Sequence, residues 1–348
     1  MSSSLLTMAV SAAAVAGLIA GCAGTSGPAP AGPRRLSGPG HATAGPAVAP
    51  TELAAGMGSA QGDGVFPRVV KHLMGTTRIA AMPRRVVALS SGQFDGLLAL
   101  GVVPVAVTTA RSSELVPAYL TKTYPQYSGP LARIADLGTR IEPNLEAVIS
   151  VRPDLILMNN TIAELYPKLS RIAPTVVAQG TGIQWKHDLL MTGAALGRHE
   201  QAAKVLKDFQ TDAQALGRRL RDDATISIVR FAPGRNRMFG ISSFPGSVAA
   251  DIGLGRPASQ RFPAQMQDLS DEQVNQVEAT WIFYATLGHK AGKQRPDAGT
   301  APSGQLWTRL RAVNAGHAVP IDDDSWYLNA GPTAARAVLN DIAAATHV

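Results

Sequence analysis

The chain has 348 residues, 45% of them hydrophobic, a formal charge of +7 and a single cysteine. That length and apolar content suffice for a sizeable core and two domains. One cysteine excludes both a disulfide framework and a thiolate zinc cluster. The basic residues are scattered rather than blocked, which excludes the kind of arm that tracks nucleic-acid phosphates, and no nucleic-acid partner is expected.

The chain opens with MSSSLLTMAVSAAAVAGLIAGC, an apolar run too short and too rich in small residues for a good membrane span. Its end, Leu18-Ile19-Ala20-Gly21-Cys22, resembles the lipobox of a bacterial lipoprotein. The resemblance implies a signal peptide over residues 1–22, a lipid on Cys22, and a protein anchored to the outer face of the cell membrane without spanning it. Residues 23–64 are dominated by Gly, Pro, Ala and Ser and read as a mobile tether, with order expected from Val65 onward.

In MPRRVVALSSGQFDGLLALG, the β-branched run Val86–Leu89 predicts a strand, followed by a polar turn and an amphipathic helix that Gly101 stops. Val102–Val107 predicts the next strand, and strand, helix and strand in this order make a right-handed parallel crossover. Ser91 and Gln93 then sit at the carboxyl end of the first strand, where open α/β sheets place ligand groups. Further on, Asn144 is placed to cap a short helix, Leu155–Met158 predicts a strand, AELYPKL a helix, and Thr175–Val177 another strand.

Residues 198–221 carry the strongest helix signal. Ala202, Val205, Leu206, Phe209, Ala213, Leu216 and Leu220 recur three or four apart, with charged residues opposite. About 24 residues at ~1.5 Å each make a rod of roughly 36 Å, and it separates two segments, 65–197 and 222–348, that each alternate strand and helix signals. In the second segment, TISIVRFAPGRNRMFG reads as strand, Pro-Gly turn and strand. Of its arginines, Arg230 and Arg237 are expected to line a cleft and Arg235 to be solvated. Asp322, Asp323 and Asp324 lack the spacing of a calcium loop and read as a solvated acidic turn. The histidines are dispersed with no HExxH, so no metal site is expected.

The phrases MPRRVVALSSGQFDGLLALGV, RIEPNLEAVISVRPDLIL, KLSRIAPTVV, DLLMTGAALGR with the helix after it, and LWTRLRAVNAGHAVPIDDDSWYLNAGP resemble the periplasmic-binding-protein family that serves ferric-siderophore, heme and cobalamin importers. The fold this resemblance implies is α/β: two Rossmann-like lobes joined by a single long α-helix, the class III arrangement, with the ligand between them and little closure on binding. It implies an extracytoplasmic receptor that hands a ferric siderophore to an ABC permease, expected to act as a monomer with no cofactor, the iron being held by the siderophore. Arg140 matches an arginine that donates to chelate oxygens in hydroxamate-binding members. Trp326, with Tyr327 beside it, matches an aromatic that packs on the ligand, and Trp185 is a further cleft wall. Leu328 and Ile162 depart from the hydroxamate pattern, so a hydroxamate or a mixed chelate is expected. Permease docking in such proteins uses an acid on each lobe, for which Glu164 and Glu272 are nearest in position.

Heme is the alternative ligand; it calls for a Tyr or His axial ligand, which the matching positions do not offer. An enzyme is not expected, because neither GxSxG, GxGxxG nor a GxxxxGK[ST] loop occurs. A third reading is a lipoprotein that binds a protein partner and no small molecule.

Overall fold

The structure, a computed structural model, describes residues 50–111, 113–180, 182–232, 235–286 and 304–347. Cys22, the leader and the tether as far as residue 49 lie outside the described residues. Packing begins before Val65, contrary to expectation. Leu53 and Met57 pack on the core, Gly58 and Lys71 exchange backbone hydrogen bonds of 2.8 Å, and the Gly64 N–H donates to the Gly197 carbonyl at 2.9 Å. Such contacts leave little hydrophobic trace in the sequence, because most of them are made by the backbone.

A hairpin of β1 (Arg68–His72) and β2 (Gly75–Ile79) precedes the first sheet. That sheet contains β3 (Val86–Ala88), β4 (Ala106–Thr109), β5 (Ala135–Thr139), β6 (Glu142–Pro143), β7 (Leu155–Asn159) and β8 (Thr175–Ala178), in the order β6-β5-β4-β3-β7-β8. All pairs are parallel except β5 with β6. Every residue of β3, β7 and β8 is buried, as befits strands covered by helices on both faces. The strand expected over Val102–Val107 is displaced to β4, because Pro104 has no N–H to give a ladder. The helix expected in AELYPKL is a 3₁₀ turn, Asn160–Leu165, followed by a four-residue helix, Tyr166–Leu169, with Pro167 in its first turn.

After α1 (Ser91–Ala99), which connects β3 to β4, the main helices are α2 (Trp185–Leu196) and α3 (His199–Gly217). Gly197, at φ +66°, breaks the chain between α2 and α3 in a conformation that costs glycine little. The linking helix therefore starts one residue later and ends four earlier than its periodicity suggests. Ala202, Leu206, Phe209, Ala213 and Leu216 form its buried face. Arg198 offers no side-chain cap; Asp63 accepts from the N–H groups of His199 (2.7 Å) and Glu200 (2.9 Å) instead.

The second sheet holds β9 (Ile226–Phe231), β10 (Asn236–Phe239), β11 (Met266–Leu269), β12 (Trp281–Thr286) and β13 (Ala318–Pro320), in the order β11-β10-β9-β12-β13. β9, β12 and β13 are parallel, and β10 and β11 antiparallel to their neighbours. Ser243 caps α4 (Phe244–Ile252) through the Gly246 N–H at 3.1 Å, and the chain ends in α5 (Pro332–Thr346). The result is a mixed α/β fold of two sheet-centred lobes joined by one long helix. The chain crosses between sheets once, but α5 returns from the second lobe to pack on α1 of the first as well as on α3 and α4.

Candidate functional site

Parallel strands deliver their following loops to one edge of a sheet, and both sheets here bring polar groups to that edge. In the first lobe Ser91 begins α1 immediately beyond β3, and Arg140 follows β5, its backbone N–H held by the Thr109 carbonyl at 2.9 Å. Arg140 Nη1 donates to the Leu328 carbonyl (2.8 Å) and to Ser91 Oγ (3.2 Å), while Ser91 Oγ donates to the same carbonyl at 3.2 Å. These acceptors are neutral oxygens. Burial without a compensating anion pulls the guanidinium pKa down, so an oxyanion arriving here would gain a strong, incompletely used donor.

Gln93 does not join them. It is buried, and its Nε2 donates to the Met158 carbonyl at 2.9 Å, bracing α1 against β7 beneath the site. The helix turn that presents Ser91 to Arg140 at the strand end carries Gln93 under α1.

In the second lobe Arg230 on β9 stands opposite Arg237 on β10, so the two guanidinium groups share one face. Like charges so placed repel unless an anion intervenes. Asp323 supplies it: Arg230 Nη2 donates to Asp323 Oδ2 at 2.5 Å, and both side chains are nearly buried. The acidic stretch is therefore no solvated turn. Burial raises the pKa of all three aspartates, and that of Asp322 reaches about 6. Arg237 Nε lies 3.6 Å from Asp268 Oδ1, and the Nε atoms of Arg230 and Arg237 both lack a hydrogen-bond partner. Arg235 is well exposed and forms a forked pair with Asp268.

Both tryptophans assigned to the cleft are buried; Trp185 is a core residue outside the pocket, whereas Trp326, buried as it is, still borders the inter-lobe pocket beside Tyr327. Trp326 is 0% exposed, stacks on Phe283 at 5.1 Å and donates its Nε1–H to Asp341 at 2.8 Å. Trp185 is 1% exposed, packs edge-on against Phe209 and Phe244, and donates to Ser247 Oγ at 3.2 Å. An indole brings more apolar area than any other side chain, and each finds a partner for its N–H, so burial wins. Tyr327 does face the site. A π-helical turn over Asp324–Leu328 sends Trp326 inward and leaves Tyr327 half-buried. Tyr327 lies 4.3 Å from the Phe239 ring, with the Arg230 guanidinium 5.8 Å from its own centroid. Its hydroxyl donates to the Val229 carbonyl at 2.8 Å, and burial lifts its pKa well above 10.

Arg140, Gly182, Phe239, Gln265, Tyr327 and Leu328 are among the residues that enclose a narrow pocket of about 100 Å³ between the lobes. Arg230 and Arg237 are not in its lining; Arg230 backs it through Tyr327. Phe239 and Asp323 were not anticipated from the sequence. The alternation of β10 points Phe239 to the same face as Arg237, a signal that was available, whereas the Asp323 pairing depends on how β13 and its loop fold back. Glu164 and Glu272 are exposed, one on each lobe. Among the described residues no group of three or more His, Cys, Asp or Glu is placed to hold a metal ion, and no helix is long and apolar enough to cross a membrane.

Comparison with known proteins agrees with this architecture. The family model described as periplasmic binding protein matches residues 86–325. The chain is 32% identical over 287 residues to the probable siderophore-binding lipoprotein YfiY of Bacillus subtilis, covering 79% of this chain and 86% of that protein. It is 28% identical to the achromobactin-binding periplasmic protein of Dickeya dadantii, covering 77% and 88%. Staphylococcus aureus SirA, solved in complex with staphyloferrin B, superposes with a TM-score of 0.67 at 26% identity, covering 80% of this chain and 98% of that one. With two α/β lobes, one linking helix and a family match spanning both sheets, the chain belongs to the periplasmic binding protein family.

Proposed function

We propose that this protein is an extracytoplasmic receptor that binds a ferric siderophore of hydroxamate or mixed type between its lobes and delivers it to an ABC import permease. The observation that carries the reading is the Arg140 guanidinium, which is held between the lobes by neutral oxygens alone and backed across the pocket by Tyr327 and Arg230. Oxygen-rich iron chelates present the partial negative charge such donors take. The names of the relatives, for siderophores of several kinds, support the same class of ligand. At about 100 Å³ the pocket takes only part of a chelate, so the remainder lies across the rim. The iron stays within the siderophore, and the protein is read as a binder and not as an enzyme.

Heme is less well supported, since no histidine lines the described pocket and the Tyr327 hydroxyl is already spent on Val229. The proposal includes a signal peptide over residues 1–22, lipidation at Cys22, a tether after it that ends before Leu53, and two lobes on either side of the His199–Gly217 helix acting as a monomer. Glu164 and Glu272, exposed on separate lobes, are the proposed docking acids for permease cations.

Tryptophan fluorescence titrated with a ferric hydroxamate, a ferric citrate-hydroxamate, ferric citrate and hemin tests it. Saturable quenching by a ferric chelate, weakened at least tenfold in Arg140→Ala, is the expected result. Binding of hemin alone, with a shifted Soret band, would overturn it, as would a chelate affinity indifferent to Arg140→Ala.

A further inference from the structure

The start of α5 is built in an unusual way. The first N–H groups of a helix have no partner within it and are normally satisfied by the side chain at its N-cap. Here the N-cap is Gly331, which has no side chain, and Pro332 follows it without an N–H. The next two N–H groups, of Thr333 and Ala334, donate to Asp95 Oδ1 and Oδ2 at 2.8 and 2.9 Å. Asp95 belongs to α1 in the other lobe. It is 0% exposed, and it also accepts from the Tyr119 hydroxyl at 3.1 Å.

The backbones around this contact leave room for nothing larger. A Cβ at Gly92 would stand 2.2 Å from the Ala330 carbonyl oxygen, and one at Gly331 would stand 2.6 Å from the Asp95 side chain. Two small residues thus let α1 touch the segment that leads into α5. That segment is continuous with the site: Leu328, whose carbonyl receives Arg140 and Ser91, lies three residues before Gly331. The same segment carries Tyr327.

We propose that Asp95 is a positioning residue for ligand binding: by capping α5 from the opposite lobe it pins segment 324–334 to the first lobe and so fixes where Tyr327 and the Leu328 carbonyl stand relative to Arg140. The affinity consequence rests on the ferric-chelate reading above; the clasp itself does not. The clasp attaches the lobes at a place separate from the linking helix, adding to the Arg140–Leu328 bond and the Lys186–Asp251 pair. Rotation about α3 alone would pull the Asp95 oxygens off both amides and leave a buried carboxylate with only the Tyr119 hydroxyl as donor.

Asp95→Asn tests this with little change of volume. An amide can accept from one of the two N–H groups but turns its own N–H₂ toward the other. Amide hydrogen exchange is measured in the full chain without ligand, followed by ferric-chelate affinity from the same fluorescence panel. The expected result is exchange at least tenfold faster across residues 324–334, with protection in α2 and α3 unchanged, and chelate affinity at least fivefold weaker. Tyr119→Phe, which leaves the cap in place, should move exchange less than threefold. Exchange in 324–334 within twofold of the natural chain would overturn the clasp. Faster exchange there with unaltered affinity would overturn the positioning role. If the natural chain binds no ferric chelate, the ligand reading fails, and the exchange measurement still decides whether Asp95 fixes the segment.

Discussion

Lys186, in the first turn of α2, is 0% exposed and its Nζ lies 2.6 Å from Asp251 Oδ1, itself 6% exposed, on α4 of the second lobe. Its ammonium also faces the rings of Trp185 (5.6 Å) and Phe209 (6.0 Å). Desolvation nevertheless outweighs Lys186 at Asp251, whose pKa is raised, and Asp251 Oδ2 has no hydrogen-bond partner. The pair is therefore expensive to bury and more expensive to break. Lys186→Met keeps most of the stem's contacts and leaves a carboxylate buried without its cation, which costs about 3–5 kcal/mol at pH 7.5. With a urea slope of about 3 kcal/mol/M, the unfolding midpoint falls by roughly 1–1.7 M. The deficit should shrink at pH 5, because the orphaned carboxyl takes up a proton more readily in the folded state and that state gains as pH falls toward its raised pKa. Lys186→Met with Asp251→Leu removes both charges and should recover most or all of the loss, since an apolar pair of similar volume is often neutral or stabilising. The assay is urea unfolding of the natural chain, both single variants and the double variant, closed as a double-mutant cycle. A loss under about 1 kcal/mol for Lys186→Met, or a double variant as unstable as that single one, would refute the reasoning.

Three further outcomes follow from other sites. Asp322 has its pKa raised to about 6 by burial and neighbouring aspartates, so the folded state holds its proton more tightly than the unfolded chain and stability falls as pH rises from about 4 to about 6. Asp322→Asn should remove that fall, adding at pH 7.5 about 1 kcal/mol, the full shift discounted for partial exposure, and nothing near pH 3.5; thermal unfolding at the two pH values checks it. His72 behaves oppositely. Its Nδ1 accepts from the Met74 N–H at 3.2 Å, and Thr77 Oγ1, 2.9 Å from Nε2, donates its own proton to the Thr175 carbonyl, so the ring is the neutral Nε2–H tautomer. With its pKa lowered to about 4 by burial, stability should fall as pH drops from 6.5 toward 4, and an imidazole NMR titration midpoint near 6.5 would contradict this. Asp63→Ala should cost about 1 kcal/mol and speed amide exchange at His199 and Glu200; unchanged exchange there would mean another group caps α3.

The amphipathic repeat of α3, the apolar runs of β3, β7 and β8, and the strand-helix-strand order around α1 are local patterns, and the sequence alone was sufficient to determine them because period and burial are the same fact seen twice. Arg140 was singled out by its match to a family position and not by a local pattern, since the strand it follows, β5, was not anticipated from the sequence. What the sequence could not determine was which side of a chain turn faces water. Trp185 went into the core, and Trp326 was buried with only a border on the pocket beside Tyr327, because packing against Phe209, Phe244 and Phe283 is settled between segments far apart in the chain. Asp63, Asp95 and Asp323 are the same lesson for charge. Each looks like an ordinary surface acid in sequence, and each acquires its role only when folding brings to it a helix start or a guanidinium from a distant segment. Periodicity records which face of an element is apolar, but a polar side chain's partner is chosen in three dimensions, where a buried carboxylate must find donors or become neutral.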